Sequence, residues 1–267
     1  MNRPGRRLTL KPVVLIAALL SLTAAWPVTA ATMTVRQVIA LLHGVRPADL
    51  AGKDLSRLDL ADLDLSGANL AGANLFAADL TGARLVGANL AGANLDRATI
   101  IGTDFSKADL SGATMFLPAA SSRLGENPAA EAPRFRQANL TGAHLLAKLG
   151  NGDWTGANLT DVHLELGRTE FLAALRSDLS GCRMAGANLE GANLSGIRLA
   201  FADLRGANLT RANLEGADLA GARLDGANLT GAALARADVH RASLRDVIGL
   251  DEATGLDSVR NLDLADR

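Results

Sequence analysis

The chain has 267 residues with 27 basic and 28 acidic side chains, and 48% of its residues are hydrophobic while 3% are aromatic. With no Tyr and no run of basic residues to support phosphate binding, the composition argues against a nucleic-acid binder built on stacking platforms. A single cysteine, Cys182, excludes an internal disulfide, so the core alone must hold the fold.

Residues 1–30 contain Arg3, Arg6, Arg7 and Lys11 and no acid, which leaves 23 basic against 28 acidic residues, a net charge of −5, in the rest of the chain. The basic start, the apolar run Val13–Trp26 and the small residues up to Ala30 predict a signal peptide cut near Ala30, and hence a periplasmic or secreted protein. The run is short for a bilayer span and no later stretch is long and apolar enough, so no transmembrane segment is expected. Arg6-Arg7-Leu8-Thr9-Leu10-Lys11 partly resembles a twin-arginine signal but lacks its usual Phe, which favours ordinary secretion.

Residues 31–45 predict a capping helix. Thr34 and Gln37 are spaced as a capping box, Val35, Val38, Ile39 and Leu42 share a face, and Gly44 suits the terminus. Such a plug covers the apolar interior and open backbone edge of a stacked fold. A partner-binding helix is the alternative reading.

Residues 46–115 set the architecture. Every fifth residue from Leu50 to Met115 is apolar, fourteen in succession, with Ala two residues before ten of them and Asn or Asp just before most. A period of five is neither helical nor that of a strand, so one short unit must stack on copies of itself. Extended chain turns the central Leu and the Ala two before it inward and the Asn or Asp between them outward; Gly two residues after the centre supplies a corner. Gly52, Gly72, Gly92 and Gly112 recur at twenty residues whereas Arg57, Ala77 and Arg97 hold another corner, as a coil of four five-residue sides requires. Leu70, Leu75, Leu90, Leu95, Leu189, Leu209 and Leu229 are expected core residues.

Residues 116–178 are irregular. Pro118, Pro128 and Pro133 mark a loop that leaves the stack and re-enters one side later, the register slips by one across Leu146–Asp153, and Thr169–Leu175 reads as a short capped helical turn. Residues 179–244 hold fourteen further unbroken centres. Residues 245–267 change to a six-residue rhythm, Gly249-Leu250-Asp251, Gly255-Leu256-Asp257 and Asn261-Leu262-Asp263, which predicts Asp-capped helical turns forming a C-terminal cap; a docking peptide is the alternative.

The tandem A-(D/N)-L-x-x unit, carried by about three quarters of the chain, resembles the signature of pentapeptide-repeat proteins, here an exported bacterial member. The resemblance implies an all-β solenoid, a right-handed quadrilateral β-helix. Some members mimic duplex DNA and act on DNA gyrase, which needs a strongly acidic surface and a cytoplasmic address. The net charge of −5 and the leader argue against that alternative.

The expected function is a non-catalytic scaffold for an unknown protein partner or envelope component, with no enzyme activity, no cofactor and no metal. Ten coils spaced about 4.8 Å apart make a stack of roughly 50 Å. Loops on a stiff frame carry recognition, so Arg123, Glu126, Asn127, Glu131 and Arg134 of the loop 116–134 are the candidate contact residues, with 165–178 as a second region. His144 and His163 both precede centres and form a possible metal pair near Asp161, but two ligands do not make a site. Asp54, Asp59, Asp64, Asp79, Asp104 and Asp109 are strewn by the repeat, and Arg84 interrupts their column, which reads as a solvated face more than as an enzyme's acid cluster. Cys182 fills an inward slot where the repeat has Ala, as an inert buried thiol. Oligomeric state is not encoded in any feature of the sequence.

Overall fold

The computed structural model describes residues 33–44, 47–122, 128–164 and 176–266. Residues 31–267 form one compact unit by themselves. The helix α1, Val35–Leu42, has the expected capping box: the Thr34 N–H donates to Gln37 Oε1 at 2.8 Å and the Gln37 N–H to Thr34 Oγ1 at 3.4 Å. Val38 is fully buried, Met33 and Leu42 pack on the same core, and the Met33 N–H donates to the Asp54 carbonyl of the first coil.

Each five-residue step is built alike. The residue before the centre is extended and pairs in parallel with its equivalent on the next coil, as Asp49 does with Asn69; the Leu50 N–H donates to the Asn69 carbonyl at 2.7 Å and the Asn69 N–H to the Ala48 carbonyl at 2.9 Å. The centre then starts a turn closed by the N–H three residues on, as from Ala73 to the Leu70 carbonyl at 2.9 Å. Its third residue is left-handed, and Gly72, at φ 62°, takes that conformation without steric cost. An outward Asp or Asn is wanted before the centre because its side-chain oxygen accepts the N–H two residues on, as Asn69 does from Ala71.

The pairings fall in four ladders. Ladder 1 runs from Asp49 to Ile248, ladder 2 from Asp54 to Thr254, ladder 3 from Asp59 to Ala119 and again from Lys148 to Arg260, and ladder 4 from Asp64 to Asp266. The repeat distance is twenty residues, from Asp49 to Asn69 to Asn89 to Asp109. The seven predicted core leucines, Leu70, Leu75, Leu90, Leu95, Leu189, Leu209 and Leu229, are all buried, with alanines in the slots between. At roughly 1.5–3 kcal/mol per buried Leu before entropy, this column is the main source of cohesion.

The irregular middle leaves ladders 1, 2 and 4 continuous and interrupts ladder 3 between Ala119 and Lys148. Asp104 pairs with Arg134, so the step from Ala119 to Arg134 takes fifteen residues where five is normal: a ten-residue excursion that starts later than the expected loop 116–134, since Phe116 and Ala119 still pair in the ladders, and re-enters one side after Ala119. A second ten-residue excursion separates His163 from Asp178, because Lys148 pairs with Asp178 and His163 with Asn193. The predicted helical turn 169–175 lies there, outside the described residues. Between them one step is short. β1, Thr114–Phe116, pairs in parallel with β2, His144–Leu146, and only four residues separate His144 from Lys148. Leu146 and Ala147 are both buried where a corner would stand, which is the one-residue slip.

The interior adjusts at the same place. Phe105, Phe135 and Trp154 are successive centres above ladder 4 and stack with ring centroids 5.0 and 4.1 Å apart. Gly152 replaces the usual inward Ala below Trp154, since a Cβ there would stand 2.8 Å from the indole nitrogen.

The tail corrects the expectation of Asp-capped turns. The 3-10 turns Leu256–Ser258 and Leu262–Leu264 exist, but their caps are Gly255 at φ 77° and Asn261 at φ 60°, with no side-chain capping bond. Ile248, Thr254, Arg260 and Asp266 continue the four ladders at six-residue steps, so this segment is a last, wider coil. The extra residue per side goes into the turn.

Candidate functional site

The outer faces follow from what the ladders stack. Ladder 1 is an amide column: Asn69 Nδ2 donates to Asp49 Oδ1 at 3.0 Å, Asn89 to Asn69 at 3.2 Å, and Asn188, Asn158 and Asn139 continue it to Asn208. Ladder 4 alternates in charge, Asp64, Arg84, Asp104, Arg134, Asp153, Arg183, Asp203, Arg223. Arg134 Nε lies 3.3 Å from Asp104 and Arg183 Nη2 lies 3.1 Å from Asp153. Burial raises the Asp104 pKa, but hydrogen bonds from Ser106 and the Arg134 charge outweigh it and hold the carboxyl below its ordinary value. The Asp203 carboxyl is held down chiefly by its hydrogen bond from Arg205. Asp161 lies on a corner at φ 53°.

The predicted contact residues separate. Arg123, Glu126 and Asn127 lie outside the described residues. Glu131 closes the base of the excursion: its carboxylate accepts the Ser122 N–H at 2.8 Å and the Ser121 hydroxyl at 3.1 Å, and its carbonyl accepts the Gly102 N–H at 2.6 Å. Arg134 belongs to ladder 4, not to the loop. At the second excursion, Ser177 donates to the Leu164 carbonyl at 2.8 Å and accepts the Ala147 N–H at 3.3 Å, pinning that base too.

His144 and His163 do stack, with ring centroids 4.7 Å apart and planes 14° from parallel. Burial and the neighbouring His163 both lower the His144 pKa. Parallel rings aim their nitrogens side by side instead of at one point, and among the described residues no group of three or more His, Cys, Asp or Glu could hold a metal ion. Cys182 is fully buried, donates to the Leu149 carbonyl at 3.2 Å, and its thiol is pushed by burial up to about 12. No oxygen accepts the buried Trp154 indole N–H, and the Cys182 sulfur stands beside it.

One depression involves residues that sequence reasoning missed. Asp104, Ser106, Lys107, Arg134, Arg136 and Gln137 line an open hollow of about 410 Å³ on the corner between ladders 4 and 1. In that corner column Gly67, Gly87, Gly156, Gly186, Gly206 and Gly226 take the left-handed position, whereas Lys107 at φ 60° and Gln137 at φ 55° take it on adjacent coils and Asp246 at φ 53° takes it near the end of the stack. A left-handed non-glycine residue costs about 1–2 kcal/mol. The ten-residue excursion separates 107 from 137 in sequence, which is why no basic cluster is visible there.

A family model described as pentapeptide repeats matches residues 48–75, 73–112, 177–216 and 212–248, together just over half of the chain. The chain belongs to the pentapeptide-repeat family. Among solved structures it is similar to HetL, a pentapeptide repeat protein involved in heterocyst differentiation regulation from the cyanobacterium Nostoc sp. strain PCC 7120, at 27% identity over 88% of this chain and 94% of that one, with a TM-score of 0.46. It is similar to trypsin-treated QnrB1, a plasmid-mediated fluoroquinolone resistance protein, at 17% identity over 82% and 88%, with a TM-score of 0.46. A pentapeptide repeat protein from the Arabidopsis thaliana thylakoid lumen matches at 30% identity over 48% of this chain and 75% of that one, with a TM-score of 0.24. Curated proteins gave no match. Among the described residues no helix is long and apolar enough to cross a membrane.

Proposed function

We propose that this protein is an exported, non-catalytic scaffold: a right-handed, four-sided stack, closed at one end by α1 and at the other by the wide last coil, that binds a protein partner or an envelope component through its excursions. The observation that carries this reading is that each excursion adds ten residues to the coil while the residues at its two ends keep ladder pairs, Ala119 with Thr99 and Arg134 with Asp104 at the first, His163 with Asn193 and Asp178 with Lys148 at the second. Chain that the stack does not need, pinned at its base by Glu131 or Ser177, is free for recognition. The basic start and the apolar run ahead of Ala30 are the sequence features that support a leader, and hence a periplasmic or secreted address.

The DNA-mimic alternative fits less well. A mimic needs a continuous acidic face, and the alternation of Asp with Arg along ladder 4 cancels charge at every second coil.

The test is a variant in which the ten residues 122–131 are deleted, so that Ala119 reaches Arg134 by a five-residue step. Capture from a periplasmic fraction should enrich a protein on the wild type and lose it on the shortened chain, with circular dichroism unchanged. Equal enrichment on both would remove the first excursion as the contact region, and cell fractionation that leaves the protein in the cytoplasm would remove the export reading.

A further inference from the structure

We infer that the hollow bounded by Ser106, Lys107, Arg134, Arg136 and Gln137 is a binding site for a phosphate group, carried by a small soluble phosphomonoester or presented by a phospholipid headgroup. This goes beyond the scaffold reading and does not depend on it.

Three cations meet here. Arg134 is engaged by Asp104, but the Arg136 Nε stands 3.8 Å from Asp153, a loose pairing, and among the described residues no carboxylate pairs with Lys107. The lining thus carries three positive charges against the one of Asp104, with Asp153 beside it shared between Arg136 and Arg183. A phosphomonoester, with between −1.5 and −2 charge at pH 7, matches that surplus better than a single carboxylate. Arginine forks and a lysine ammonium are the groups that bind phosphate oxygens, and the Gln137 amide adds a neutral donor. The pieces are held in place by the stack: the Lys107 N–H donates to the Arg136 carbonyl at 2.8 Å, and the Phe105 N–H to the Arg134 carbonyl at 2.8 Å. Lys107 and Gln137 occupy corners where the column otherwise has Gly on neighbouring coils, so long polar side chains are kept here against a steric cost that glycine avoids.

The probe is inorganic phosphate, added to the purified protein at low ionic strength and followed by calorimetry and by amide shifts of residues 106, 107, 136 and 137. Saturable binding near about 1 mM is expected. Lys107→Gly and Arg136→Gln should each weaken it about tenfold. Lys107→Gly relieves a left-handed residue, so its fold is retained and its melting temperature does not fall. Arg97→Gln, a basic corner residue on another face, should bind as the wild type. Vesicles of phosphatidylcholine with phosphatidic acid separate the sources: sedimentation with them assigns a headgroup, and phosphate binding without it assigns a soluble ligand. No saturable shift, or equal loss in Arg97→Gln and Arg136→Gln, overturns the proposal.

Discussion

Trp154 lies face to face with Phe135, ring centroids 4.1 Å apart and planes 17° from parallel, and Phe135 lies in turn on Phe105. The three rings fill the interior where coil length changes from twenty residues to thirty and then to nineteen. Aliphatic centres serve the regular coils on either side. The largest side chains therefore stand where the backbone departs most from its period.

Removing the Trp154 indole should cost about 3–5 kcal/mol as a cavity, and Gly152→Ala about 1–3 kcal/mol by overpacking against the same ring. Phe76→Ala, on an outer corner where Arg97 sits 5.8 Å from the ring, should cost about 1 kcal/mol or less. Urea denaturation midpoints rank the three.

Acid should weaken the fold in two steps. The His144 pKa is lowered from 6.5, so its contribution is present above the unfolded value and is lost as pH falls through the lower folded value. The Asp104 pKa is lowered from 3.8, so its contribution is full above 3.8 and is lost as pH falls further. His144→Gln should flatten the upper step and Asp104→Asn the lower one in a series of melting temperatures against pH.

Cys182 should be silent to thiol reagents while the protein is folded, because the thiolate is the reactive form and burial pushes the thiol up to about 12. Alkylation is expected only at denaturant concentrations that unfold the chain. Cys182→Ala, the residue the repeat ordinarily has there, should cost about 1 kcal/mol or less by the same denaturation.

Much of this was legible in the sequence because the period of five is a direct statement of which side chains turn inward. Leu50 to Met115 and Leu179 to Leu244 could be assigned to the core residue by residue, and Gly52, Gly72, Gly92 and Gly112 spelled out the twenty-residue coil. What stayed hidden depends on who stacks on whom across the irregular middle. Asp104 meets Arg134 only once ten residues are set aside, and Arg134 meets Asp153 only once one is missing, so neither the alternating charges of ladder 4 nor the ring stack shows as a pattern. Lys107 and Arg136 were brought together by the same offset. The tail misled because Asp251, Asp257 and Asp263 look like caps, whereas Gly255 and Asn261 turn the corners.

The central claim is that centres face inward and the residues before them face out. Leu209 is fully buried, and its neighbour Asn208 is held on the outer amide column, donating to Asn188 Oδ1 at 2.9 Å. Melting of Leu209→Asp and Asn208→Asp beside the wild type tests this most directly. Leu209→Asp should abolish the cooperative transition by burying a charge, and Asn208→Asp should lose about 0.5–1.5 kcal/mol with its hydrogen bond. Equal melting of the two variants, or a mainly helical circular dichroism spectrum for the wild type, would contradict the account.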